Sequence, residues 1–253
     1  MLVLRSIAFN VLFYVTLAVL MIGGLPMILF GRLAVHHVTK AWSTLSLKLL
    51  KCVCGLEIEF RGVENVTKGG CIIASKHQSA LETFALTQHV GDCAFILKKE
   101  LTQIPLFGLY LKATEQIAID RSSGRAALQQ AIQDAKRVLA QGRKLIIFPE
   151  GTRTQPRATP NYKLGIVQIY TATGATCVPV ALNTGLFWPR RSFLRRPGKI
   201  VIEFLEPIQP GLDKKSFFAL LQERIETAST SLIEESLRLD PTLEKAIDEA
   251  SPS

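Results

Sequence analysis

No Gly-x-Ser-x-Gly elbow and no Gly-x-x-x-x-Gly-Lys loop occur in the 253 residues. The first absence removes the strained strand-to-helix turn on which α/β-hydrolases present a nucleophilic serine. The second removes the backbone cradle for nucleoside triphosphate phosphates. Cysteine is scarce and unpaired. Cys52, Cys54, Cys71, Cys93 and Cys177 form an odd set without zinc-site spacing, so neither a disulfide framework nor a metal centre is expected. Cys71, Cys93 and Cys177 each begin an apolar run and read as small buried hydrophobes, which suits a reducing, cytosol-facing main domain. Acid is short too: 21 Asp and Glu stand against 30 Lys and Arg, for a net charge of +9. That excess points to anionic partners, among them phosphorylated metabolites, lipid headgroups and nucleic acid. No repeat or low-complexity block is present.

Charge is missing altogether from Ile7 to Phe30. These 24 residues exceed the ~20 needed to cross a bilayer as a helix, although Gly23-Gly24-Leu25-Pro26 interrupts them. From Arg32 to Leu50, Trp42, Leu45, Leu47, Leu49 and Leu50 are interspersed with His36, His37, Lys40 and Lys48, as in an interfacial amphipathic helix. Residues 1–52 are therefore expected to anchor the chain in a membrane, as one span plus an interfacial helix or as a hairpin dipping into one leaflet; a cleaved signal peptide is the third reading, disfavoured by the lack of a convincing small-x-small cleavage site and by the reduced cysteines. Leu186 to Arg196, where aromatics and arginines interleave, is a second, weaker signal that suits a headgroup interface; RNA stacking and an ordinary exposed loop are the competing readings.

The remainder alternates strands and helices. Leu56–Arg61 alternates at period two; Cys71–Ser75, Cys93–Leu97, Gln116–Ile119, Leu145–Phe148, Cys177–Leu182 and Lys199–Leu205 read as further strands. Helices are expected over Ala80–Val90, Ala126–Gln141 and Lys214–Leu239. The pattern predicts an α/β domain over 53–240 with a mainly parallel central sheet flanked by helices, preceded by the anchoring segment and followed by a loose acidic tail over 241–253.

Three strand-end loops carry chemistry. In Lys76-His77-Gln78-Ser79-Ala80-Leu81-Glu82 a histidine, the side chain best suited to take a proton near neutral pH, stands five residues before a carboxylate able to orient it. The bland alternative is a capping box, Ser79 at the N-cap and Glu82 three residues on. Ser79 is better placed for that than as a nucleophile. Arg121 follows the strand ending at Ile119. Arg153 stands in Phe148-Pro149-Glu150-Gly151-Thr152-Arg153, and arginine forks suit phosphate oxygens. Gly151 lets backbone approach a ligand, and Glu150 can orient Arg153 or accept a substrate hydroxyl. Salt-bridged solvated turns are the competing reading for each loop.

The segment from Lys76 to Glu82, Ile119-Asp120-Arg121, Phe148 to Arg153 and Val178-Pro179-Val180-Ala181 together resemble, in order and spacing, the four motifs of the glycerolipid acyltransferases, particularly the 1-acyl-glycerol-3-phosphate (lysophosphatidate) acyltransferase family. Two departures stand out. The family usually has His followed by Asp five positions on, where this chain has Glu82; Glu115 and Ala118 replace a usual glycine and aromatic. The resemblance implies transfer of a fatty acyl group from acyl-CoA or acyl-carrier protein to lysophosphatidate, giving phosphatidate. It implies His77 as general base, Glu82 as its partner, and Arg121, Glu150, Gly151, Thr152 and Arg153 around the acceptor. No cofactor or metal and no nucleic acid are expected. Membrane lipids are expected partners, with the catalytic domain on the cytoplasmic face of the inner membrane. The competing functions are acylation of another lysolipid or of glycerol-3-phosphate, and non-catalytic, membrane-tethered lipid binding.

Overall fold

The computed structural model describes residues 1–245 and 247, without the side chain of Arg121. The chain opens with helices α1 (Leu2–Gly23) and α2 (Arg32–Leu49), followed by strands β1 (Leu56–Arg61) and β2 (Cys71–Ser75). Short helices α3 (Glu82–Ala85) and α4 (Thr87–Val90) lead to β3 (Cys93–Lys98), α5 (Phe107–Ala113) and β4 (Ile117–Ile119). Then come α6 (Gly124–Ala140), β5 (Lys144–Ile147), α7 (Gly165–Thr173), β6 (Cys177–Leu182), α8 (Thr184–Phe187), β7 (Gly198–Phe204) and the closing α9 (Lys214–Leu239).

The strands form a seven-stranded sheet in the order β1-β7-β6-β2-β5-β3-β4. From β6 to β4 every neighbouring pair is parallel; β7 turns antiparallel to β6, and β1 is parallel to β7. Each residue of β2 and β6 is buried, as an unbroken apolar run requires when helices cover both faces of a strand. One face packs Ile73, Val178 and Val180 with Phe9, Phe84 and Trp188. The other packs Ile72, Ala74 and Cys177 with residues of α6, α7 and α9 such as Val138, Ile169, Phe217 and Leu221.

The expected helix over 80–90 is two short ones. The Thr83 and Thr87 hydroxyls donate to the carbonyls of Ala80 and Phe84, each at 2.6 Å, in competition with the regular helical ladder. Helix α7 was not expected, because Ile166, Val167 and Ile169 favour strand locally. It buries Ile166, Val167, Ile169 and Tyr170 along one helical face, and Gly174 ends it in the left-handed region.

The amino-terminal segment does not stand apart from the domain. Phe9 and Phe13 of α1 pack with Trp42, Phe84 and Trp188. Near its start, α1 offers Asn10 Oδ1 to the Arg195 guanidinium at 2.9 Å; near its end, the Met21 carbonyl accepts from the Tyr110 hydroxyl at 2.7 Å. Arg32, at the head of α2, pairs with Asp92, which also accepts from buried Arg143 at 3.2 Å. The outer face of α1 leaves Leu4, Ile7, Val11, Val15, Val19 and Ile22 exposed. With a mean hydropathy of 2.1 over its best window, α1 is the one helix among the described residues long and apolar enough to cross a membrane.

In the arginine loop Arg195 is buried, with its guanidinium 3.8 Å from the centre of the Trp188 ring, and burial lowers its pKa to about 10, while Arg190, Arg191 and Phe193 stay exposed. The tail expected to hang loose over 241–253 begins with a turn over Pro241–Leu243, and Leu243 and Ile247 join the core. Its residues 246 and 248–253 lie outside the described residues.

Candidate active site

The chain leaves β2 for α3 on the face of the sheet that packs Phe84 and Ala85, and leaves β5 for α7 on the opposite face, which packs Ile166 and Ile169. The two strands are neighbours and parallel, so their carboxyl ends open a crevice where the connections diverge. Open α/β sheets bind ligands at such a switch point. His77 follows β2, while Glu150 to Arg153 follow β5. Thr184 follows β6 and Arg121 follows β4, at the same end of the parallel strands.

The turn between β2 and α3 folds His77 back over the start of the helix. Its Nδ1 lies 2.9 Å from Glu82 Oε1, which also accepts the backbone N–H groups of Gln78 and Ser79, both at 2.7 Å. Glu82 Oε2 accepts the Thr184 hydroxyl at 3.0 Å. Glu82 is fully buried, and all four of these contacts bring a donor to it. Capping and histidine orientation are therefore one arrangement, not alternatives. A carboxylate only accepts, so Nδ1 carries the proton and Nε2 is the basic nitrogen of the neutral ring. The imidazole stacks on Phe148, with ring centres 3.9 Å apart, so its plane is set from two sides.

Glu150 borders the cavity beside His77, but it pairs with Lys76 and not with Arg153. It is 2% exposed. Its Oε1 accepts from Lys76 Nζ and from the Thr154 hydroxyl, both at 2.9 Å, and its Oε2 accepts the His77 N–H at 3.3 Å. The Thr154 N–H in turn donates to the His77 carbonyl at 2.8 Å. Glu150 thus fastens the β5 loop to the β2 loop. Gly151 turns the chain out of this contact at φ +68°, a conformation that side chains resist. Lys76, Thr154 and Thr184 were missed as partners. Only Lys76 left a sequence signal, a lysine directly between an apolar strand and His77.

Beside His77 opens a cavity of about 1110 Å³, large for a small-molecule site. Its walls are mostly apolar, with Phe84, Phe95, Leu101, Leu111, Leu128 and Ile166 among them. Thr152, Arg153, Lys98, Lys163 and Arg190 also line it. Arg153 has no ion-pair partner among the described residues, and its backbone carbonyl accepts from the Arg190 guanidinium at 2.9 Å. The sequence reading missed Lys98 and Arg190, one at the end of β3 and the other in the arginine loop. Arg121 heads the turn after β4. The site thus joins an oriented histidine, an apolar chamber and cationic side chains without an ion-pair partner among the described residues, a combination suited to a molecule with a fatty chain and a phosphate. No group of three or more His, Cys, Asp or Glu among the described residues has metal-binding geometry.

The sequence profile of the Acyltransferase family matches residues 57–183. A 1-acyl-sn-glycerol-3-phosphate acyltransferase of Pseudomonas aeruginosa is 34% identical over 171 residues, 68% of this chain and 66% of that protein. One from Cocos nucifera is 33% identical over 165 residues, 64% of this chain and 53% of that protein. The chain thus spans about half to two thirds of the length of these curated relatives. The crystal structure of the 1-acyl-sn-glycerophosphate acyltransferase PlsC from Thermotoga maritima superposes with a TM-score of 0.74 at 25% identity, covering 92% of this chain and 98% of that one.

Proposed function

The chain belongs to the acyltransferase family, and from that premise we propose that it transfers a fatty acyl group from acyl-CoA or acyl-carrier protein to the free hydroxyl of 1-acyl-glycerol-3-phosphate, forming phosphatidate for phospholipid synthesis. The observation that carries this reading is the His77–Glu82 contact of 2.9 Å on the wall of an apolar cavity that Arg153 also lines.

Nε2 of His77 takes the proton of the acceptor hydroxyl as that oxygen attacks the thioester carbonyl. Glu82 stabilises the imidazolium that forms. The tetrahedral intermediate collapses by breaking the C–S bond, and His77 returns its proton to the departing sulfur. A thiol with a pKa of about 8.5 is a ready leaving group, so the scheme uses neither cofactor nor metal; the thioester is a co-substrate. Arg153 grips the acceptor phosphate, with Lys98 and Arg190 adding positive charge beside it; Arg121, next in sequence after β4 and Asp120, is assigned to the same phosphate. Thr152 and Gly151 border the acceptor, and the apolar chamber takes an acyl chain.

For the anchor we propose that α1 and α2 lie as a hairpin in one leaflet, with the exposed face of α1 toward the lipid and the domain on the cytoplasmic side, from which the donor arrives. The contacts of α1 with the domain at Ser6, Asn10 and Met21 support a hairpin over an isolated span. The test is thiol release by the purified protein supplied with acyl-CoA and lysophosphatidate. The wild-type chain should turn over. His77→Ala should fold and show no transfer; substantial residual transfer in that variant refutes His77 as the base.

A further inference from the structure

One carboxylate beneath the His77 turn has no part in the chemistry above. Glu226 lies in α9, 150 positions from Lys76, yet both its oxygens accept from Lys76 Nζ, at 2.8 and 3.0 Å. Its Oε1 also accepts the Tyr162 hydroxyl at 2.8 Å. Lys76 reaches Glu150 Oε1 at 2.9 Å with the same ammonium. The Lys76 side chain is 3% exposed, Glu150 1% and Glu226 23%. A buried ammonium is therefore held between two carboxylates, one from the catalytic loops and one from the closing helix.

The arrangement has a direction. Glu150 must serve Lys76, the Thr154 hydroxyl and the His77 N–H at once. If Lys76 had Glu150 alone, its desolvated charge would draw that carboxylate toward itself. The weakest of Glu150's bonds, the 3.3 Å contact from the His77 N–H, would be the first to go. Glu226 supplies the second counter-charge that leaves Glu150 free to hold the turn. Burial and the nearby Glu226 push the Tyr162 phenol well above its ordinary range, so Tyr162 remains a hydrogen-bond donor that fixes Glu226 in turn. α9 does not depend on this contact for its packing, because Phe217, Leu221, Ile225 and Leu232 bury its apolar stripe.

We propose that Glu226 is a positioning residue for acyl transfer: through Lys76 it aligns Glu150, and through Glu150 it sets the backbone at His77. It touches neither substrate nor the reacting atoms. The proposal rests on His77 acting as the base, and the experiment separates the two. Glu226→Gln, Glu226→Asp and Tyr162→Phe are made in the full chain, and thiol release is followed with acyl-CoA and lysophosphatidate, alongside thermal unfolding. Second-layer groups that orient a reactive side chain are typically worth about 10- to 100-fold. Glu226→Gln should lower kcat by roughly that factor with both KM values little changed, which marks an interaction lost in the transition state rather than in binding. Glu226→Asp should keep more of kcat than Glu226→Gln, and Tyr162→Phe should lower it by less. In a Lys76→Met background Glu226→Gln should cost little more, as for two members of one network.

Unchanged kcat in Glu226→Gln overturns the proposal. So does a rise in KM at constant kcat, or a loss undiminished in the Lys76→Met background. A fall in Tm that accounts for the lost activity in both Glu226→Gln and Tyr162→Phe overturns it in favour of a purely structural role. If the wild-type chain releases no thiol, the acyl-transfer reading fails first and takes this proposal with it.

Discussion

Glu82→Gln separates the two tasks that one carboxylate performs in this structure. Oε1 receives three N–H donors, from His77 Nδ1 at 2.9 Å and from the Gln78 and Ser79 backbones at 2.7 Å, while Oε2 receives the Thr184 hydroxyl. Alanine would strand four donors at about 1–3 kcal/mol each, comparable to the whole stability of a domain at roughly 5–15 kcal/mol. Lost activity in Glu82→Ala would therefore say little about mechanism. Glutamine keeps a carbonyl oxygen for all three N–H groups, and the Thr184 hydroxyl can turn to accept from the new amide. What disappears is charge. Weakening three charge-assisted bonds to neutral ones costs about 1 kcal/mol each, which the fold can tolerate. An imidazolium and a carboxylate 2.9 Å apart attract by roughly 6 kcal/mol at an effective dielectric constant of about 20. Losing much of that attraction as His77 takes its proton should lower kcat by about 10²- to 10⁴-fold, or roughly 3–5 kcal/mol of barrier. Thiol-release kinetics and thermal unfolding on the same preparation decide the matter. A folded Glu82→Gln protein with kcat within about threefold of wild type, a difference of under 1 kcal/mol, would refute the claim that Glu82 stabilises the charged base.

Arg153→Ala should reduce kcat/KM for lysophosphatidate by roughly 10- to 100-fold, as expected for one charge-assisted bond of about 1.5–3 kcal/mol, with far less effect on an acceptor lacking phosphate; equal loss on both acceptors would remove the phosphate role. Gly62→Ala should destabilise the fold by about 1–3 kcal/mol or more, because Gly62 sits at φ +64° and a Cβ there would come 2.1 Å from the Phe204 carbonyl oxygen; denaturant unfolding measures it. Replacing Ile7, Val11 and Val15, all about half exposed along one face of α1, with glutamine should weaken binding to lipid vesicles by roughly 100-fold, taking about 1 kcal/mol for each partly buried side chain. Unchanged vesicle flotation would reject that face as the lipid contact.

Most of the sheet was legible because its strands are continuous apolar runs bounded by polar turns. The boundaries of β2, β6 and α9 agree with the periodicity of the sequence to the residue. Helix α7 escaped because β-branched residues in a short segment look alike in strand and helix; only packing between α6 and α9 decides for helix. The break between α3 and α4 escaped because two threonine hydroxyls redirect the backbone locally, which hydrophobic periodicity does not register. The reversal at β7 was likewise invisible, since an antiparallel edge and a parallel one carry similar side chains.

The same division runs through the site. That His77 and Arg153 meet at one end of the sheet could be read from the sequence, because each stands in a loop after an apolar strand and such loops must emerge at one end of a parallel sheet; Glu82 follows at the start of the next helix. Their placement was therefore local information, and so was the family resemblance. The partners of Glu150 were not. Lys76 lies 74 positions from Glu150 and 150 from its second partner Glu226, and Thr184 lies 102 from Glu82. Nothing in a linear pattern distinguishes a carboxylate that will face a substrate from one that will be buried against a lysine. That choice is made when sheet and helices close over the loops and remove water, because a desolvated charge must then find its complement wherever the fold has brought one.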